Sequence, residues 1–185
     1  MSRSRPHSMT RRCFFVSAGL GLAAGAAGAA AGAEPEATAA DLPKAALLSD
    51  GDVKTHLLVF RSGQEVMKSL LAFAKKHKLV AGHLTGIGAI SDADLGYFDP
   101  QEKKYLRNHE KGQAEVLSMT GNLALKDDEP FFHIHVALGL RDGSARGGHL
   151  FEATVQPTVE LVLTTYRQPV RRKIDRESGL PLLDP

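Results

Sequence analysis

Three histidines in the second half of the chain have the types and spacing of a metal site. His133 and His135 lie two positions apart, and His149 follows a glycine-rich stretch. Side chains two positions apart on a β-strand point to the same face, so His133 and His135 project together. The residues that alternate with them are apolar and predict a core face on the other side of the strand: Phe132, Ile134, Val136 and Leu138.

The loop that follows this strand decides where His149 lies. A three-residue loop at 141–143, with Gly143 in the left-handed conformation, places His149 opposite His135 on the next strand. A two-residue turn would instead turn His149 toward the core, where an imidazole needs a buried hydrogen-bond partner. The longer loop also keeps Leu150 on the core side, opposite Ile134, so we favour the three-residue loop.

Three neutral imidazoles with an open fourth position have the ligand count of a catalytic-type site, whereas closed structural sites usually have four protein ligands. The chain's single cysteine, Cys13, excludes a multi-cysteine cage. We therefore predict that His133, His135 and His149 bind one divalent metal. The alternative is a solvated sheet face without a metal. Further candidates for a metal ligand, or for a partner of a ligand, are Glu152, His83 and His109. The sequence spacing does not select among these three residues.

Residues 1–33 have the three parts of an export signal. A basic region with the pair Arg11-Arg12 precedes an apolar stretch, Phe14–Ala30, which ends at Ala31-Gly32-Ala33. The arginine pair predicts the twin-arginine route, with cleavage after Ala33 and a periplasmic or secreted mature protein. The alternative is an anchor that is retained, since the apolar stretch is about as long as the ~20 residues that a bilayer requires.

Removal of this signal changes the charge of the protein. The full chain has 23 basic and 21 acidic residues, and the signal contains four of the arginines and no acid. The mature chain therefore has 19 basic against 21 acidic residues, a formal charge of −2. Nucleic-acid binding by counterion release needs a clustered basic face, which this balance disfavours.

The remaining sequence predicts one α+β domain with an antiparallel-dominated sheet of about seven to eight strands and one main helix. We assign residues 34–50 to a linker, 51–168 to the domain, and 169–185 to a loosely ordered, proline-rich basic tail. Ser62 and Glu65 form a capping box with Ser62 as the N-cap of a helix that ends near His77. Strands are predicted at 55–60, 80–90, 93–98, 104–108, 114–124, 131–140, 145–155 and 158–166.

Five motifs in this domain occur in the order found in the plants-and-prokaryotes conserved (PPC) domain, which residues 53–166 resemble. The motifs are Gly82–Ala89, Tyr97–Pro100, Glu115–Gly121, Phe131–His135 and Gly147–Leu150. The resemblance implies an α/β fold around an antiparallel sheet, a homotrimer and, as in prokaryotic members, a metal held by His133, His135 and His149. Together with the tetrahedral three-histidine geometry, it favours zinc.

The same resemblance leaves three functions open. The first is an exported, homotrimeric, metal-bearing module that binds a small-molecule ligand. The second is a zinc-dependent enzyme of carbonyl chemistry, since the fold also remotely resembles acetolactate decarboxylase; Glu152 or a carboxylate of a neighbouring subunit would then carry the proton. The third is DNA binding, as in plant members, which use AT-hooks with an Arg-Gly-Arg-Pro core that this sequence lacks.

Overall fold

The computed structural model of the chain describes residues 38–185. The predicted signal peptide, residues 1–33, lies outside the described residues. Within the described part of the chain, no helix has the length and apolar character that crossing a membrane requires.

Eight strands and one helix make up the described fold. In chain order they are β1 (Lys44–Asp50), β2 (Val53–Arg61), α1 (Val66–His77), β3 (Gly82–Asp99), β4 (Lys104–Lys126), β5 (Glu129–Gly139), β6 (Ala145–Tyr166), β7 (Arg171–Ile174) and β8 (Pro181–Asp184). All the strands belong to one sheet, in which the contact between β4 and β7 is parallel and the other pairings are antiparallel. Because β3 pairs with β4, β4 with β5, β5 with β6 and β6 with β3, these four strands close into a barrel-like ring.

The ring strands are longer than the sequence predicts. The segments predicted at 80–90 and 93–98 lie in the single strand β3, and the segments predicted at 145–155 and 158–166 lie in β6. The pairing of β3 with β4 shifts register between Gly86 and Gly88 and again between Ile90 and Asp92. Such β-bulges bend a strand without ending it. The breaks in the apolar pattern therefore mark bends in continuous strands.

Strands also form where we predicted a linker and a loose tail. Residues 44–50, within the predicted linker 34–50, pair with β2 as the edge strand β1, and all seven are exposed. An edge strand held by backbone hydrogen bonds needs no alternating apolar pattern, so the sequence pattern gives no sign of it. In the tail, β7 and β8 form a hairpin that joins the sheet where the backbone N–H of Leu125 donates to the Val170 carbonyl at 2.8 Å.

Helix α1 begins three residues later than the capping box predicts. Its N-cap is Glu65, whose carboxylate accepts from the backbone N–H groups of Met67 and Lys68. The prediction of Ser62 as N-cap is wrong, because Gly63 takes a positive φ of 85° and the chain turns there before the helix starts. The Glu65 carboxylate also accepts from the backbone N–H of Ala153 on β6 at 3.0 Å, so one side chain caps the helix and joins it to the sheet.

The core lies between α1 and the inner face of the sheet. Leu70 and Phe73 of the helix are buried there, together with the four apolar residues that alternate with the β5 histidines. The predicted core face is thereby confirmed: Phe132, Ile134, Val136 and Leu138 are all buried. Since β5 places its apolar side chains against the core, His133 and His135 must face outward.

We expect the substitution Glu65→Ala to lower the free energy of unfolding by about 2 kcal/mol, because it removes a helix cap and leaves the Ala153 N–H without its acceptor. Denaturant unfolding of the mature protein at a fixed concentration measures this. Ser62→Ala is the matched control, since the Ser62 hydroxyl is exposed and donates only to the Pro157 carbonyl at 3.3 Å. Equal losses in the two variants would show that Glu65 is not the cap that joins α1 to the sheet.

Candidate metal centre

The hairpin between β5 and β6 has the predicted three-residue loop. Gly143 has a φ of 81°, and the Leu140 N–H donates to the Ser144 carbonyl at 2.9 Å, which closes the loop. The register then pairs His135 with His149, as predicted. One detail differs: Leu150 is buried as predicted and pairs with Leu95 on β3, but it does not pair with Ile134, because the pairing of β6 with β5 ends at His149.

The three histidines come together on the outer side of the sheet. Each offers a ring nitrogen, and these three atoms lie within 4.8 Å of one another. The Nε2 atoms of His133 and His135 are 3.1 Å apart. Two imidazoles on one tetrahedral zinc, with Zn–N bonds of about 2.0–2.1 Å, have nitrogens about 3.3 Å apart. The donor set and its spacing therefore fit a divalent metal.

Burial favours the neutral form of the His133 and His149 imidazoles, which is the form that binds metals. The pKa of His149 is lowered to about 4, mainly by burial and further by the neighbouring charges of His133 and His135. The pKa of His133 is also lowered, first by burial and then by His135 and Arg172. The Nδ1 atom of His149 is buried and has no hydrogen-bond partner among the described residues. Because its pKa is lowered, the His149 imidazole is neutral and can bind a metal through its unprotonated ring nitrogen without first losing a proton.

Aromatic side chains hold His149 in place. Its ring centroid lies 4.9 Å from that of Tyr105 and 4.7 Å from that of Phe151. Burial raises the pKa of the Tyr105 hydroxyl. The guanidinium of Arg107 lies 3.7 Å above the Phe151 ring and pairs with the Asp94 carboxylate at 2.7 Å.

These neighbours were not identified from the sequence. Phe151 lies two residues after His149, and Tyr105 and Arg107 are two residues apart, so a strand pattern places each pair on one face. Sequence spacing does not show that β4 brings Tyr105 and Arg107 to the histidines of β5 and β6.

The further candidate ligands lie outside the three-histidine cluster. Glu152 is exposed and pairs across the strands with Asp94. The Nδ1 of His83 is hydrogen-bonded to the Tyr166 hydroxyl at 2.8 Å. His109 lies between two carboxylates, with ring nitrogens 3.2 Å from Asp92 and 3.1 Å from Asp94. Within residues 38–185, the group with metal-ligand geometry is thus His133, His135 and His149.

Residues 48–167 match the family model of the Plants and Prokaryotes Conserved domain, abbreviated PCC or PPC. The chain belongs to this family. Since the match covers more than half of the chain, the resemblance drawn from the five motifs is confirmed. No curated protein sequence matches this PCC-domain chain.

Three solved structures similar to this PCC-domain chain have names that bear on function. A metal-containing protein from Archaeoglobus fulgidus is 32% identical, with 78% of this chain and 99% of that chain covered and a TM-score of 0.67. A PPC protein from Pyrococcus horikoshii is 33% identical, with 77% and 95% covered and a TM-score of 0.67. A candidate DNA-binding protein from Bacteroides thetaiotaomicron is 28% identical, with 76% and 96% covered and a TM-score of 0.69.

The remote likeness to acetolactate decarboxylase is present but weak. The enzyme from Bacillus subtilis is 10% identical, with 60% of this chain and 52% of that chain covered and a TM-score of 0.43. A likeness at this level has no bearing on what the PCC-domain chain does.

The lowered pKa of His149 predicts a pH dependence of stability. Its pKa is about 4 in the folded state and 6.5 when unperturbed, so the unfolded chain binds the proton more tightly. The free energy of unfolding should therefore fall as the pH falls from about 6.5 to about 4, by on the order of 3 kcal/mol from this residue. Urea unfolding of chelator-treated protein across this range measures it. His149→Gln should show a shallower pH dependence, and an unchanged slope would contradict the assignment.

Proposed function

We propose that the mature chain is an exported, homotrimeric PCC-domain module that binds a divalent metal and, through that metal, a small-molecule ligand. The observation that carries the proposal is the group of three ring nitrogens, from His133, His135 and His149, within 4.8 Å of one another. Three protein ligands leave a fourth position for a ligand from solution.

Zinc is the metal we favour. Imidazole also binds Ni²⁺ and Cu²⁺, so the ligand type alone does not select the metal. A tetrahedral site with three histidines and one open position is typical of zinc. A 32% identical relative is described as metal-containing, which supports a metal without naming it.

Binding, rather than catalysis, is the function that the surrounding residues support. A bound metal would act as a Lewis acid on a ligand at the open position. Turnover would also need a group that transfers protons, and the described cluster consists of imidazoles without a carboxylate. Glu152, one candidate proton carrier of an enzyme, lies across from Asp94 and outside the cluster, so the other candidate, a carboxylate of a neighbouring subunit, would have to transfer the proton.

DNA binding has less support, although one relative is described as a candidate DNA-binding protein. Residues 34–166 contain 14 basic and 18 acidic side chains, a net charge of −4. Counterion release favours DNA binding by proteins with clustered positive charge, and residues 34–166 have no excess of positive charge. Export of the mature protein, which we infer from residues 1–33, would also separate it from chromosomal DNA.

An exposed apolar cleft supports the homotrimer. Ile87 and Leu117 are 61% and 56% exposed, and both line a cleft of about 540 Å³ on the outer side of the ring. Contiguous exposed apolar side chains mark surfaces that other proteins cover. A second copy of the chain is the occupant that a closed symmetric assembly would provide.

Metal analysis tests the proposed site. After removal of residues 1–33 and incubation with zinc, wild-type protein should retain about one metal ion per chain, because three neutral imidazoles form a preorganised site. His135→Ala should lose most of this metal and remain folded, since the His135 side chain is exposed and the core face of β5 is unchanged. Elemental analysis of dialysed protein, with circular dichroism for folding, measures both effects.

His83→Ala is the matched control for this experiment. His83 is an exposed histidine on β3 that contacts Tyr166 and lies outside the cluster. Its substitution should leave the metal content unchanged. Wild-type protein with well under one metal ion per chain, or His135→Ala protein with full content, would overturn the site.

Light scattering tests the assembly. The mature protein should have the mass of three chains at micromolar concentration, and Ile87→Asp should shift it to monomer, because a carboxylate would be buried without a partner at the interface. Leu48→Asp is the control, since Leu48 is 60% exposed on the edge strand β1. A monomeric wild-type protein would show that the cleft is not an interface between copies.

A further inference from the structure

Arg172, on β7, is a buried cation to which the proposed function assigns no part. It is 8% exposed, and its two η nitrogens donate to the Pro181 carbonyl and to the side-chain oxygen of Asn122. Both acceptors are neutral. Its Nε is buried and has no hydrogen-bond partner among the described residues. Burial lowers the pKa of this guanidinium, and no carboxylate contributes to it.

The guanidinium lies beside the histidine cluster. Asn122, its hydrogen-bond acceptor, pairs with His133 on the neighbouring strand. The ring of Phe131, two residues before His133, has its centroid 5.1 Å from the guanidinium carbon. The charge of Arg172 also contributes to the lowered pKa of both His133 and His149.

The other arginine near the cluster is different in one respect. Arg107 is exposed and has a carboxylate partner, Asp94, at 2.7 Å. Its charge is therefore largely balanced within the fold. The charge of Arg172 is not balanced in this way.

A metal in the cluster would increase this imbalance. Three neutral imidazoles contribute no negative charge, so a dication would be added next to a buried guanidinium. A buried charge without a counter-ion is costly unless an anion pairs with it. The planar fork of a guanidinium matches the two oxygens of a carboxylate. A small carboxylate at the open position would compensate both charges.

We propose that Arg172 is a specificity-determining residue that makes the open position of the metal site select a small carboxylate over a neutral ligand. This inference rests on the proposed metal site. The family match ends at residue 167, so Arg172 comes from a segment that the family model does not describe. The hairpin of β7 and β8 thereby adds a ligand-selecting residue to a PCC domain.

Acetate and acetamide are suitable probes, because they have nearly the same shape and differ in charge. The mature protein is loaded with Co²⁺, whose visible absorption reports a change in the fourth ligand, and each probe is titrated at constant ionic strength. Wild type should bind acetate more tightly than acetamide. Arg172→Gln should weaken acetate binding by about 10- to 100-fold, the effect of losing a charge-assisted hydrogen bond, and change acetamide binding by less than about twofold.

Arg171→Gln is the matched control. Arg171 lies on the same strand, is exposed, and pairs with Asp128 at 2.5 Å. Its substitution removes the same charge from the same hairpin and should change acetate affinity by less than about twofold. If Arg172→Gln does not fold, Asn122→Asp provides the second variant, because it places a carboxylate on the atom that already accepts from Arg172. It too should weaken acetate binding by about tenfold or more.

Metal content is measured first in every variant, which separates the two proposals. Absence of metal from the wild-type protein would contradict the proposed function. A fully loaded wild type that binds acetate and acetamide equally would overturn the role of Arg172. Unchanged acetate affinity in loaded Arg172→Gln or Asn122→Asp protein would overturn it as well.

Discussion

The pairing of His135 with His149 is the constraint on which the site depends. A shift of one residue in a strand moves every side chain to the opposite face. The core face of β5 is buried against α1, and Leu150 on β6 is buried as well, so a shift would expose apolar side chains while it separated the histidines. Gly143, at a φ of 81°, allows the loop length that fixes this register. The free energy that folds the hairpin therefore also assembles the three donors.

Electrostatic effects follow from the same placement. His149 lies on the outer side of the sheet, but Tyr105 and Phe151 cover it, and burial is the main cause of its lowered pKa. The lowered pKa keeps its imidazole neutral at physiological pH. The nearby arginines increase the same effect, since a positive charge disfavours imidazolium. The fold thus provides neutral donors in a positive environment, which suits a metal with an anionic ligand.

How far the sequence predicts this structure depends on the range of the interactions. The alternation around His133 and the Asp-Gly chemistry of the loop are local, and they suffice for β5, for the hairpin register and for the three histidines. The N-cap at Glu65 was missed because its carboxylate is also held by Ala153, 88 residues away in the chain. Strand β1 escapes prediction because all seven of its residues are exposed, so its pairing with the adjacent strand β2 leaves no alternating apolar pattern. The hairpin β7–β8 escapes prediction because it joins the sheet by pairing with β4, a strand distant in the chain. Arg172 belongs to this class, since a residue in a proline-rich tail reaches the site only through such pairing.

The barrel-like ring of four strands explains why the alternation of side chains along one strand does not by itself place the third ligand, His149. His149 lies where β6 pairs with β5 on one side and with β3 on the other, opposite both His135 and Gly96. A Cβ at Gly96 would lie 2.5 Å from the Phe151 ring and 2.8 Å from Tyr105, so the absent side chain leaves the space that these aromatic rings fill. The rings in turn restrict the imidazole of His149. Two ligands are therefore oriented by one strand, whereas the third is oriented by packing between three strands. Because folding orders all three side chains, the entropic cost of ordering them is part of folding and is not incurred when a metal binds.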